Sequence, residues 1–235
     1  MPSMIIFGLT VSVHALLING GFETAETTGG TLPTTFGDWA GDISEIVSTQ
    51  NGITPFEGSQ MLHFVNTQLD GSGEGYSSDV WQLCDMSLFN TEIASGQATV
   101  SASALFNRVI GDSQTDTLFG LSLRAYAGNP SEFPSNSDNY LASVTTTILS
   151  DGNLTTWESA GVDLLLPTST DYLGILIFAQ ENVLNDLTHP ELDGHYADNV
   201  VMHVNVVPEP GTLFLLSTGL VGLIAFRKKL TCKMS

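Results

Sequence analysis

Positive charge is scarce in this 235-residue chain, which has six Lys and Arg against 25 Asp and Glu. Four of the six (Arg227, Lys228, Lys229 and Lys233) crowd the C-terminus, so residues 16–207 hold only Arg108 and Arg124 and no lysine. With 24 acids and two arginines, that body carries a charge of −22. Such a field repels phosphate backbones and anionic lipid, which excludes nucleic acid as a partner and favours neutral or cationic ones. Cysteine is nearly absent. Cys84 lies in the body and Cys232 in the tail, so there is no disulfide framework. Cys84 follows Val80-Trp81-Gln82-Leu83 with no basic neighbour to lower its pKa, and it reads as a buried, inert thiol. Helical periodicity is missing between Leu16 and Val207. Also missing are the nucleophile elbow, the Gly-rich phosphate loop, the Cys–His pair and the helix-borne pair of metal ligands. Without them the body reads as non-catalytic.

What the body does have is alternation with a period of two. Ala98, Val100, Ala102, Ala104 and Phe106 fall on one face, with Thr99, Ser101 and Ser103 on the other. The same pattern recurs at Phe119–Ala125, Tyr140–Ile148, Val162–Leu166, Leu173–Ala179 and Val200–Val206, and shorter runs lie at Ile43–Val47, Met61–Val65 and Val80–Leu83. Alternation of this kind buries one face of a strand and wets the other. About nine or ten short strands, separated by Gly, Asn, Asp and Pro, predict an all-β fold, a single β-sandwich over residues 16–207. The apolar share of 42% argues against disorder despite the charge.

Both ends differ from the body. Met4 to Val13 is an apolar run, and Val13-His14-Ala15 has the small-residue spacing of a signal-peptidase cut. Residues 1–15 therefore read as a signal peptide whose basic start is missing, with Leu16 as the mature start; a first β-strand is the alternative. At the other end Pro208-Glu209-Pro210 blocks strand and helix alike. Residues 211–226 then run without a charge, and Arg227, Lys228 and Lys229 follow at once. An apolar helix capped by a basic triplet predicts a span of the inner membrane, with residues 230–235 as a cytoplasmic tail. This order of motif, helix and basic cluster resembles the PEP-CTERM sorting domain of exported bacterial proteins. The resemblance implies recognition by an exosortase, a membrane-embedded cysteine transpeptidase, with cleavage near the motif and delivery of the body to the envelope or extracellular matrix.

Within the body, Leu17-Ile18-Asn19-Gly20-Gly21-Phe22-Glu23, then Trp39, then Gly58-Ser59-Gln60-Met61-Leu62, then Ala197-Asp198-Asn199-Val200-Val201 follow one another in an order similar to that of galactose-binding-like jelly rolls, which include carbohydrate-binding modules. That resemblance implies a structural calcium ion held by Glu23 and Asp198 with carbonyls near Gly21. Calcium takes six to eight oxygens, and two carboxylates supply only part of such a set. Solvated or capping carboxylates are the competing reading. Of the rings at Trp39, Tyr76, Trp81 and Trp157, Trp81 falls in a strand and reads as core, whereas Trp39 and Trp157 border loops and are candidate platforms for stacking sugar. The turn-rich segment Asn129–Asn139, centred on Phe133, reads as a plain surface excursion, with the border of a ligand cleft as the alternative. His189-Pro190-Glu191-Leu192-Asp193-Gly194-His195 matches no zinc-hydrolase spacing and reads as a solvated loop.

Together these features describe an exported, exosortase-processed envelope or matrix protein whose β-sandwich binds polysaccharide or packs in the matrix. The alternative is a secreted polysaccharide lyase or glycosidase, which the dearth of basic groups disfavours.

Overall fold

The computed structural model describes residues 12–13, 16–65, 76–110, 117–182 and 194–206. Within these, eleven strands form two antiparallel sheets: β1 Ser12–Val13, β2 Trp39–Gly41, β3 Ser44–Val47, β4 Met61–Phe64, β5 Ser77–Asp85, β6 Ala98–Arg108, β7 Thr117–Tyr126, β8 Ala142–Leu149, β9 Glu158–Leu165, β10 Tyr172–Glu181 and β11 His195–Val206. One sheet has the order β3-β4-β11-β6-β9, with β1 also on β11; the other has β2-β5-β10-β7-β8. This is the expected β-sandwich of jelly-roll type. Two residues of the predicted signal peptide, Ser12 and Val13, pair with Asn205 and Val204 of β11.

The period-two faces pack where the pattern places them. Ala98, Val100, Ala104 and Phe106 of β6 meet Phe119, Leu121, Leu123 and Ala125 of β7 and Leu173, Ile175 and Ile177 of β10 in one core, all fully buried. Phe106 stacks on Phe119 with centroids 4.9 Å apart. Cys84 is buried there, and burial pushes its thiol up to about 12, so it is inert as expected. One buried polar side chain in this region is held at both ends of its amide. Gln82 accepts the Ile18 N–H (2.8 Å) and donates to the Ile18 carbonyl (2.7 Å), which fastens the segment before β2 to the five-stranded sheet.

The long strand β11 is interrupted. Its register against β6 shifts between Asp198 and Val201, and Asn199 adopts a φ of 47°. Such a bulge re-aims the side chains on either side of it. It also lets Gly20 approach closely: Val200 N–H donates to the Gly20 carbonyl at 2.8 Å, and a Cβ on Gly20 would lie 2.0 Å from the Val200 carbonyl oxygen.

The alternation did not reveal three features. β2 is too short to show a period. Two helical segments, Ser87–Phe89 with Asn90–Ala94 and Pro130–Glu132 with Phe133–Asn136, interrupt the connections. The second of these stands where a plain surface excursion was expected at Asn129–Asn139, and it leaves no cleft there. Phe133 is fully buried, its ring 5.2 Å from Trp81 and 5.4 Å from Tyr126. It closes an aromatic cluster of Trp81, Tyr126, Tyr172 and Phe178 on the outer face of the five-stranded sheet. Arg124 lies over both Trp81 (4.9 Å) and Tyr140 (5.2 Å) and donates to the Ser137 carbonyl, so that face is filled rather than open.

Candidate functional site

Residues 48–60 link β3 to β4. Asn51-Gly52 is the dipeptide that favours a tight turn with positive φ at both residues, and both adopt it, at 52° and 83°. Gln50 and Ile53 exchange main-chain hydrogen bonds of 3.0 and 2.8 Å across that turn. Ile53 is thereby driven into a small cluster with Met61 and Tyr196 on the outer face of the six-stranded sheet. Asn51 Nδ2 donates to the Tyr196 hydroxyl (2.9 Å), which lies 3.2 Å from Gln50 Oε1, so the turn is pinned to β11.

The far half of this linker is held by two carboxylates. Asp198 Oδ2 accepts the N–H groups of Phe56 (2.7 Å) and Glu57 (3.2 Å), and its Oδ1 accepts that of Asn199 (2.7 Å). Glu23 accepts from Ser59 N–H (2.8 Å), the Ser59 hydroxyl (2.9 Å) and Gln60 N–H (2.9 Å). Hydrogen bonds to the charged form hold the Glu23 carboxyl below its usual value. Asp198 is fully buried, and burial pushes its carboxyl up to about 6, with the Glu23 charge adding to the rise.

Held in this way, residues 54–56 meet Trp157, which ends the linker between β8 and β9. The Trp157 indole N–H donates to the Thr54 carbonyl at 3.2 Å, and Asn107 fixes the same linker through the Leu154 carbonyl at 3.1 Å. Phe56, 52% exposed, sets its ring edge-on to Trp157 with centroids 6.4 Å apart. Between them is an open cleft of 530 Å³, lined by Gly52, Thr54, Pro55, Phe56, Leu154, Thr155 and Trp157. The cleft offers two aromatic rings, threonine hydroxyls and main-chain polar groups. Its lining contains neither carboxylate nor imidazole, so it has no acid–base pair.

The predicted site residues are distributed as follows. Trp157 is half-buried at the cleft and keeps its candidacy. Trp39 does not. It is fully buried, its ring 5.3 Å from Phe22 and its indole N–H given to the Asn19 carbonyl (3.1 Å), so both its apolar body and its polar edge are satisfied inside the fold. Glu23 and Asp198 come together around residues 56–60, beside a groove that Gly21 also lines. Each accepts three hydrogen bonds, and a carboxylate has about four lone-pair sites, which leaves about one apiece for a cation. Among the described residues no group of three or more His, Cys, Asp or Glu converges to hold a metal. The pair therefore acts first as a clamp on the linker, and a calcium ion would need most of its oxygens from carbonyls. His195 opens β11 with its Nε2 2.7 Å from the Thr117 hydroxyl, while residues 189–193 of the histidine loop lie outside the described residues. Phe56 escaped the sequence reading. The one signal for it was a lone aromatic in Thr54-Pro55-Phe56-Glu57-Gly58, outside any alternating run.

Residues 206–229 match the PEP-CTERM protein-sorting motif. The motif marks an exported bacterial protein. Pro208, Glu209, Pro210, the stretch 211–226 and Arg227–Lys229 all lie outside the described residues; among those described, no helix is long and apolar enough to cross a membrane. No curated protein matches the chain in sequence. Among solved structures, a family 61 carbohydrate-binding module in complex with β-1,4-galactotriose is similar over 81% of this chain and 98% of its own, with 14% identity and a TM-score of 0.48. The CBM22-1 xylan-binding domain from Paenibacillus barcinonensis is similar over 86% of this chain and 97% of its own, with 10% identity and a TM-score of 0.41. A family 16 carbohydrate-binding module covers 68% of this chain and 84% of its own, with 10% identity and a TM-score of 0.41. These are likenesses of fold alone.

The carboxylate clamp makes stability depend on pH. Asp198 and Asp42 are both pushed up to about 6, chiefly by burial. Raised carboxyls contribute stability that is complete below their unfolded values and is lost as pH climbs through 6. Glu23, held low, acts in the opposite sense: its contribution is complete above its unfolded value of 4.5 and is lost as pH falls below it. In EDTA the sandwich is therefore expected to melt at a higher temperature at pH 5 than at pH 7. A calcium ion between Glu23 and Asp198 would offset the cost of the buried charge, so millimolar calcium is expected to raise the pH 7 value and Asp198→Ala to lose that response. Equal melting temperatures in EDTA and calcium would remove the calcium expectation.

Proposed function

We propose that this chain is an exosortase substrate whose body is a non-catalytic module that binds neutral polysaccharide in the cell envelope or extracellular matrix, at the cleft between Phe56 and Trp157. The observation that carries the reading is the preorganised ring pair. Two aromatic side chains from separate linkers are fixed by hydrogen bonds of their own backbone or indole, at the mouth of an open cleft with polar rims. Aromatic faces suit the apolar C–H faces of pyranose rings, and rings already held in place lose little freedom on binding. The acidic body disfavours anionic glycans by the same repulsion that disfavours nucleic acid.

Before processing, residues 211–226 sit in the inner membrane with Arg227–Lys229 on the cytoplasmic side, and the exosortase reads Pro208-Glu209-Pro210. This part of the proposal rests on the matched motif and the positive-inside rule.

Two experiments test the two halves. On a glycan array followed by titration against the best neutral polysaccharide, Trp157→Ala and Phe56→Ala are each expected to weaken binding about tenfold, or about 1.4 kcal/mol. Trp39→Ala should instead lower the melting temperature. Binding unchanged in both cleft variants would reject the site. For sorting, changing Pro208, Glu209 and Pro210 together to Ala is expected to leave an unprocessed, membrane-retained form by fractionation and intact mass. Normal release of that variant would reject exosortase processing.

A further inference from the structure

A strand at the edge of a sheet exposes unpaired N–H and C=O groups, and proteins protect such edges by keeping them short, charging them, bending them or placing Gly or Pro in them. Among the described residues the edge strands are β3, β9 and the two-residue β1 in one sheet and β2 and β8 in the other. β2 has three residues and β3 has four, including Glu45. β9 carries Glu158, Asp163 and Gly161. β8 has none of these devices. Its eight residues, Ala-Ser-Val-Thr-Thr-Thr-Ile-Leu, include no charge, no Pro and no Gly. It pairs with β7 from Ala142 to Leu149 without a bulge.

Which groups are free follows from the ladder. Ser150 N–H donates to the Thr117 carbonyl (3.0 Å), and the Val144 carbonyl accepts from the Ser122 hydroxyl (3.1 Å), so the even-numbered residues turn their main-chain groups towards β7. By alternation, Ser143, Thr145, Thr147 and Leu149 turn theirs outward. No other described strand pairs with them. The same odd-numbered residues have exposed side chains, and Leu141 beside them is also exposed, at 43%, as is Leu149, at 47%.

We propose that β8 is a docking edge for a second copy of this chain, pairing antiparallel with its own counterpart about a two-fold axis through Thr145. The row Leu141, Ser143, Thr145, Thr147, Leu149 complements itself under that rotation. Leucine lies opposite leucine at each end, Ser143 lies opposite Thr147, and Thr145 meets itself. Hydroxyl pairs of this kind stabilise neighbouring strands. The register brings outward-turned residues face to face, so about six main-chain hydrogen bonds form, two at each hydrogen-bonded pair. An axis normal to the sheet keeps both cores on the same side, and the two five-stranded sheets become one. The self-complementary row selects this occupant, and the local lack of charge permits it. A body of charge −22 repels its own copies over most of its surface, but residues 139–150 carry no charge at all. A cationic partner would be drawn to the acids elsewhere rather than to this stretch.

The test is light scattering on the full chain in detergent, over a range of protein concentration and salt. The expected result is a species whose protein mass is twice the 25.0 kDa chain, increasing with salt as like charges are screened. Thr145→Pro removes the outward N–H at the axis, which an edge strand tolerates, and Thr145→Lys sets a positive charge against its own copy. Each is expected to weaken dimerisation at least tenfold while keeping the circular dichroism and melting temperature of the parent. Leu165→Lys on the β9 edge should remain dimeric. A monomer at every concentration and salt, a dimer that survives both Thr145 variants, or a dimer lost only in Leu165→Lys would overturn the proposal. If Thr145→Pro does not fold, Thr145→Lys alone decides.

Discussion

The cleft depends on one buried carboxylate. Asp198 takes three main-chain N–H groups, two of them from Phe56 and Glu57, which are 142 and 141 residues away in sequence. Burying a charge is costly unless donors surround it, and burying donors is costly unless an acceptor meets them. Each half of this arrangement is tolerable only because of the other. The β11 bulge belongs to the same arrangement, since the shift after Asp198 turns its side chain to the linker while Val200 N–H reaches Gly20. One local irregularity in one strand thus fixes the position of Phe56 and the approach of the N-terminal segment.

Around that point the molecule separates its tasks. The main cluster between the sheets is aliphatic and aromatic. Apart from buried Asp42, Glu181 and Asp198, the acids of the described residues are at least partly exposed, and their field turns away anionic polymers. The lining of the ring-lined cleft carries no charge, and neither do residues 139–150 along the β8 edge, beside which Arg124 lies over Tyr140. The sorting tail is chemically distinct from both, holding four of the six basic residues.

Strand positions were legible in the sequence because a half-buried strand writes its exposure into every second residue, as β6 does from Ala98 to Phe106. The sandwich and the inertness of Cys84 followed from that pattern. The sites were less legible. Trp39 and Trp157 have the same chemistry and both border loops, and only the fold shows that Phe22 and the Asn19 carbonyl enclose the first. Phe133 looked like a loop residue open to solvent because its partners, Trp81 and Tyr126, face outward from a sheet that the residue itself covers. Phe56 gave little signal, because its position is set by Asp198 from the opposite end of the chain.

The three indole N–H groups permit a direct measurement. Trp39 gives its proton to the Asn19 carbonyl, Trp157 gives its own to the Thr54 carbonyl, and Trp81 lies beneath Phe133. With nitrogen-labelled tryptophan, the three resonances can be followed while a bound neutral polysaccharide is titrated. Binding at the cleft is expected to move the Trp157 signal and leave those of Trp39 and Trp81 in place. A titration that moves the Trp81 or Trp39 signal while Trp157 stays fixed would contradict the account.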